Sequence, residues 1–174
     1  MVQFFDAVKF NPGQHSGLDA KLGFGRIYVG GSDFRLVGAQ PGQAKGAVIE
    51  FKGNENAAAC IRNGAKAIIP AEPDMWIKHK FEFGLLREFD CAILIAASVL
   101  ENANGFYRPK VLYSISKIIK AARASKADIG LISLASRPEE LLSSMQLLEI
   151  GMLVGLSELE AKTALSKVNR KALV

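Results

Sequence analysis

The sequence predicts an α/β fold, a compact TIM-like (β/α)8 barrel forming a single domain over residues 1–174, with shortened helices in its first third. Three observations predict it. Apolar runs of four to eight residues recur along the chain, each flanked by Gly, Pro, Asn or Asp, as buried strands are. In the second half these runs alternate with segments of helical periodicity, which implies parallel pairing with right-handed crossovers. The 174 residues fall short of the roughly 250 usual for such a barrel, but residues 1–53 hold ten of the sixteen glycines and no helix of normal length. The early crossovers must therefore be short loops or single turns. An open doubly wound sheet is the alternative.

The strand candidates, in order, are VQFFDAV (2–8), RIYVGG (26–31), FRLVGA (34–39), AVIEFK (47–52), KAIIPA (66–71), CAILIAA (91–97), IGLISLA (129–135) and MLVG (152–155). Between them, NENAAACIRNG (54–64) reads as a short helix, and PDMWIKHKFEFGLLREF (73–89) as a longer one opened by Pro73. In RPKVLYSISKIIKAARASK (108–126), Val111, Leu112, Ile115, Ile118, Ile119 and Ala122 share one face, opposite Lys110, Tyr113, Lys117 and Lys120. RPEELLSSMQLLEIG (137–151) follows, with Gly151 as its C′ stop. The closing segment, GLSELEAKTALSKVNRKALV (155–174), has Ser157 and Glu160 at capping-box spacing. Leu159, Ala161, Leu165 and Val168 supply a buried face, and Lys162, Lys167, Arg170 and Lys171 keep the rest positive.

Composition narrows the function classes. Nearly half the residues are hydrophobic and the mean hydropathy is +0.17, which marks an ordered globular protein. The longest apolar run (91–100) is about half a membrane span, and the first ten residues lack a cationic lead, so a cytoplasmic protein without membrane association is expected. Cys60 and Cys91 read as two reduced core thiols. The net charge of +5 and pI near 9.3 fit a polyanionic partner.

Motifs for protein-borne chemistry fail on inspection. GFGRIYVGG (23–31) begins like a dinucleotide-binding turn but has Tyr28 where a third glycine is required, and it leads into a strand. Asp6 at the end of the first strand is placed to face a barrel mouth, and Asp6, His15, Glu50 and His79 form a metal site on paper that nothing in their spacing requires. The carboxylates Glu72, Asp74, Glu82 and Glu101 are scattered. FYRPK (106–110) is the best RNA-contact candidate, with two aromatics and two cations at a loop-to-helix junction; Arg62 and Arg137 join it on charge and loop placement.

The stretch GMLVGLSELEAKTALSKVNRKALV (151–174) resembles the C-terminal signature of the ribonuclease P protein component 3 family, the barrel-shaped archaeal and eukaryal subunit. In that family a glycine-bounded aliphatic strand leads into a Ser-capped helix carrying an Ala-Lys pair and a late arginine. Gly151, Gly155, Ser157, Ala161, Lys162 and Arg170 fall on those places. Arg108, the serines Ser133 and Ser136 of LISLAS, and the NENAAACIRNGAKAIIP stretch (54–70) also match, so the likeness covers about residues 47–174. Ala57 and Ala71 depart from it, standing where the family has arginine and, often, histidine. The family is similar in turn to the PHP metal-dependent phosphoesterases, but Val8 and Phe10 occupy the two opening histidine positions.

The resemblance implies a noncatalytic subunit of ribonuclease P, in which the RNA removes the 5′ leader of precursor tRNA using Mg²⁺ and the protein binds no cofactor of its own. It implies a partner, a ferredoxin-like subunit, in a heterodimer or heterotetramer on the ribonuclease P RNA. Arg108, Lys162 and Arg170 are implied contacts to RNA or partner; Arg62, Lys110 and Arg137 are added on charge. A PHP-like metal-dependent phosphoesterase is the alternative.

Overall fold

The structure is a computed structural model and describes residues 3–9, 17–53, 55–78 and 80–174. Each of the first seven apolar runs forms a strand: β1 (Phe5–Val8), β2 (Arg26–Val29), β3 (Leu36–Gly38), β4 (Val48–Phe51), β5 (Ala67–Pro70), β6 (Ala92–Ala96) and β7 (Ile129–Ile132). All pairings are parallel; β1 pairs with β2, and β3-β4-β5-β6-β7 form a five-stranded sheet in sequence order. Successive side chains of a strand point to opposite faces, so each run feeds two cores. In β6, Ile93 and Ile95 join the larger cluster that packs against the helices. Ala92, Leu94 and Ala96 join a second cluster with Phe5, Tyr28, Val48, Ile69 and Ile132, and Leu36 of β3, partly buried, packs against it, so all seven strands feed it.

The early crossovers are single turns, α1 (Leu18–Lys21) and a 3-10 turn at Pro41–Gln43. Later ones are α2 (Ala57–Arg62), α3 (Pro73–Lys78), α4 (Gly84–Glu88), α5 (Ala97–Glu101) and α6 (Tyr107–Ala124). The helix expected over residues 73–89 is thus two pieces. The chain turns at Lys80, with φ +49, and swings Phe81 into edge-on contact with Trp76 and with Phe83. α6 buries Val111, Ile115, Ile118, Ile119 and Ala122 as its periodicity predicts.

Sequence and structure part at MLVG. Residues 152–155 are not an eighth strand; they end α7 (Ser144–Leu153), which starts at a Ser143–Gln146 capping box. The glycine roles change with it. Gly155, at φ +108, is the stop, where a side chain would be strained. Gly151 lies inside the helix, where a Cβ would sit 2.5 Å from Leu131 Cδ1 and 3.2 Å from Ala161 Cβ. A closing helix follows the predicted Ser157–Glu160 capping box: α8 (Glu158–Thr163), a π-helical segment at Ala164–Val168, and α9 (Asn169–Leu173). Ala161, Leu165 and Val168 are buried, whereas Leu159 is 76% exposed because it lies beyond the stripe that the strands cover.

Between β1 and β7 no regular ladder forms, and side chains fill the gap. Asn169, fully buried, donates from Nδ2 to the carbonyls of Phe5 (2.8 Å) and Leu131, and its Oδ1 accepts the Leu131 amide at 3.2 Å. Farther along, Asp6 Oδ1 accepts the Ser133 amide at 2.7 Å. Direct backbone bonds then take over, from Leu134 N to Ala7 O and from Lys9 N to Ala135 O, both 2.8 Å. Leu134 takes φ +50 to make this switch. Gly130 leaves the room, since a Cβ there would lie 2.6 Å from Asn169 Oδ1. At the other edge, Gly30 and Phe34 form a parallel bridge between the end of β2 and the approach to β3.

Replacing Asn169 with Ala would strand three buried backbone groups at about 1–3 kcal/mol each before relaxation. We expect Asn169→Ala to lose at least about 3 kcal/mol in urea unfolding, and Asn169→Asp to fare no better, because a carboxylate has no donor for the two carbonyls. The exposed neighbour Arg170→Ala should stay within about 0.5 kcal/mol.

Candidate functional site

Parallel α/β folds collect functional side chains at the carboxyl ends of their strands. Here Lys9, one residue past β1, reaches across to Glu50 of β4 and places Nζ 2.8 and 2.7 Å from the two carboxylate oxygens. The pair separates two open hollows of about 640 and 730 Å³, each lined by Lys9, Glu50 and Ala71. The first adds Glu72, Asp74, Ser98, Asn102, Asn104, Tyr107 and Ser136. Glu72 and Asp74, scattered as sequence neighbours go, thus share one wall. The second hollow adds Lys52, Glu55 and Asn56.

Asp6 is not in this site, contrary to its placement from the sequence. Its neighbours Phe5 and Ala7 point to the enclosed cluster, so the strand alternation turns Asp6 to the opposite face, where it is fully buried. Its Oδ1 accepts the Ala7 and Ser133 amides at 2.7 Å, and its Oδ2 lies 2.5 Å from Ser133 Oγ. Burial pushes the Asp6 carboxyl up to about 6, against the opposing effect of the Ser133 hydroxyl and the two amides. Of the metal site assembled on paper, the two described members are engaged separately: Asp6 holds Ser133 and Glu50 holds Lys9. His15 and His79 lie outside the described residues, and among those described no group of three His, Cys, Asp or Glu could hold a metal ion.

The six cations chosen from the sequence do not form one cluster. Arg108, Lys110 and Arg137 stand near the carboxyl ends. Lys110 bonds Asp74 at 2.8 Å, which raises the lysine and holds the Asp74 carboxyl below its usual range, and its ammonium lies 5.6 Å from the Tyr107 ring centroid. Arg137 pairs with Glu140 at 2.8 Å. Arg108 is exposed beside Glu101 and borders a hollow with Leu112 and Leu153. Phe106 is wholly exposed and Tyr107 mostly so, leaving the 106–110 stretch open to a partner.

Arg62, Lys162 and Arg170 belong to the opposite end. Arg62 is in the last turn of α2, which runs back to the start of β5. Lys162 pairs with Glu158 on α8, and the start of that helix is tied to Arg123, in the last turn of α6, through Glu160 at 2.8 Å. Arg170 precedes Lys171, which spans Asp90 and Asp128 just ahead of β6 and β7. Sequence reasoning missed Lys9, Ser98, Asn102 and Asn104. The signal that finds them is position: Lys9 and Ser98 closely follow the ends of β1 and β6, and Asn102 and Asn104 lie in the loop after α5, the single helical turn that follows β6.

Cys60 and Cys91 are buried and unpaired, and burial pushes the Cys91 thiol up to about 12. Among the described residues no helix is long and apolar enough to cross a membrane. Compared with known proteins, the chain matches no family model and no curated protein.

The carboxyl of Asp6 has a folded value of about 6 against an ordinary 3.8, so the folded state binds this proton more tightly than the unfolded chain does. Its contribution is fully present below pH 3.8 and is lost as pH rises through 6. The stability of wild type minus that of Asp6→Asn should therefore be larger at pH 4 than at pH 7, by roughly 2 kcal/mol in urea titrations. A difference independent of pH would show that the Asp6 carboxyl titrates in the fold as it does in the unfolded chain.

Proposed function

We propose that this protein is a noncatalytic, RNA-binding subunit of ribonuclease P, supporting RNA-catalysed, Mg²⁺-dependent removal of the 5′ leader from precursor tRNA. The observation that carries this reading is the closing helix. The segment with the strongest family likeness is seated on β1 and β7 through Asn169, and it turns Lys162 and Arg170 outward from that anchored base. Cations on a rigid support neutralise phosphates without first having to be ordered, and so help RNA helices pack. Recognition would rest on shape and backbone, as is usual for folded RNA.

The fold we propose for this role is a closed barrel in which β1 to β7 run in order around one axis. The Gly30–Phe34 bridge joins β2 to β3, and the Leu134–Ala7 and Lys9–Ala135 bonds join β7 to β1. The cluster fed by all seven strands would be its interior, with Val168, Ala172 and Leu173 of the closing helix plugging one end. The cations at both ends would serve RNA and a ferredoxin-like partner subunit.

The deciding experiment is cleavage of a precursor tRNA by the cognate ribonuclease P RNA at limiting Mg²⁺, with the ferredoxin-like partner present and this protein added or omitted. Cleavage only with the protein is the expected outcome. No effect, with the RNA active at high Mg²⁺, would overturn the reading and turn attention to the PHP-like phosphoesterase alternative, through bound metal and turnover of a phosphate ester without RNA.

A further inference from the structure

Lys9, Lys110, Arg123, Arg137, Lys162 and Lys171 have carboxylate partners; three cations at the strand entries have none among the described residues. Arg35 immediately precedes β3, and its carbonyl accepts the Val48 amide at 2.8 Å. Lys66 immediately precedes β5, and its amide donates to Ala47 O at 2.9 Å. Lys45 approaches β4, its Cγ 3.8 Å from where a Cβ on Gly64 would lie, and Gly46 N donates to Gly64 O at 2.8 Å. The three side chains are exposed and form no ion pair with any described carboxylate.

Strands about 4.8 Å apart put Arg35 and Lys66, one strand removed from each other, roughly 10 Å apart at the backbone. That is about one Debye length, so their fields add. At other entries on this edge ion pairs form: Arg26 pairs with Asp33, and Lys171 spans Asp90 and Asp128. Positive charge is thus left uncompensated over the entries to β3, β4 and β5. Between Lys45 and Lys66 the rim is bare, because Gly46 and Gly64 are both exposed and carry no side chain to hold a polymer backbone away.

We infer that the amino-end rim of β3–β5, carrying Arg35, Lys45 and Lys66, contacts the phosphate backbone of a folded RNA, separately from the cations at the carboxyl ends. The inference rests on the RNA-binding reading above. A row of like charges spread over about 10 Å suits successive phosphates better than one small anion. A lipid surface fits poorly: no large hydrophobic side chain among the described residues from 33 to 66 is exposed to insert beside the cations.

The test uses the full chain with a fluorescent transcript of the cognate ribonuclease P RNA, titrated at several salt concentrations. The variant Arg35→Ala/Lys45→Ala/Lys66→Ala is compared with Lys78→Ala/Lys117→Ala/Lys120→Ala, which removes the same charge from α3 and α6. The rim variant should lower the slope of log K against log salt by about two to three, with the control keeping the wild-type slope. Equal losses in both variants would reduce the effect to net charge and overturn the inference. A rim variant that binds RNA as wild type does, or that instead loses binding to anionic vesicles or polyglutamate, would also overturn it while leaving the subunit reading intact. If wild type binds no RNA, the subunit reading fails and the inference with it. Urea unfolding of both variants confirms that the fold is retained.

Discussion

The gap between β1 and β7 is the constraint on which the rest of the molecule depends. Both strands are buried, so their backbone groups need partners, and a buried amide or carbonyl left without one costs on the order of 1–3 kcal/mol. Direct pairing covers only the carboxyl side, through Ala7 and Leu134. Asn169 and Asp6 cover the remainder with side-chain amide and carboxylate oxygens that imitate a neighbouring strand. Asn169 lies 164 residues from Phe5, so the chain's two ends are joined by one amide group.

That arrangement governs the closing helix. To deliver Asn169 to the gap, the helix must lie against β7, and the small residues Gly130, Gly151, Ala161 and Ala164 allow the approach. The π-helical segment at Ala164–Val168 comes immediately before Asn169. An extra residue in one turn changes the direction in which the following side chains point. With one stripe buried this way, the cations of the helix are left on its outer face, where Lys162 meets Glu158 and Lys171 meets Asp90 and Asp128.

Electrostatics divides the surface into two kinds of positive charge. Lys9, Lys110, Arg137, Lys162 and Lys171 sit in ion pairs, most of them solvent-exposed. Exposed pairs contribute about 0–1 kcal/mol and are screened by salt, so a polyanion can compete for such cations at modest cost. Arg35, Lys45 and Lys66 hold no carboxylate, and a phosphate backbone would meet their charge without displacing anything. Lys9, Lys110 and Arg137 lie at the carboxyl ends of the strands, whereas Lys162, Lys171 and the unpaired Arg35, Lys45 and Lys66 lie at the amino ends.

Seven strands, the amphipathic face of α6, the single-turn early crossovers and the Ser157–Glu160 cap were legible in the sequence, because each depends on neighbours within a few residues. MLVG was not: four apolar residues suit a strand or a helix end equally, and only the packing of Gly151 against Leu131 and Ala161 selects the helix. Asp6 looked like a mouth residue because its position on the strand was legible while the face it would take was not. Which cations are paired was equally hidden, since Lys110 meets Asp74 across 36 residues and Lys171 meets Asp90 across 81. The sequence by itself determined the seven strands and the long helix α6, the basic charge and the scarcity of histidine and cysteine. Tertiary structure alone decided how the first and last strands are joined and where positive charge is left unpaired, because both depend on groups that meet only when the chain has folded.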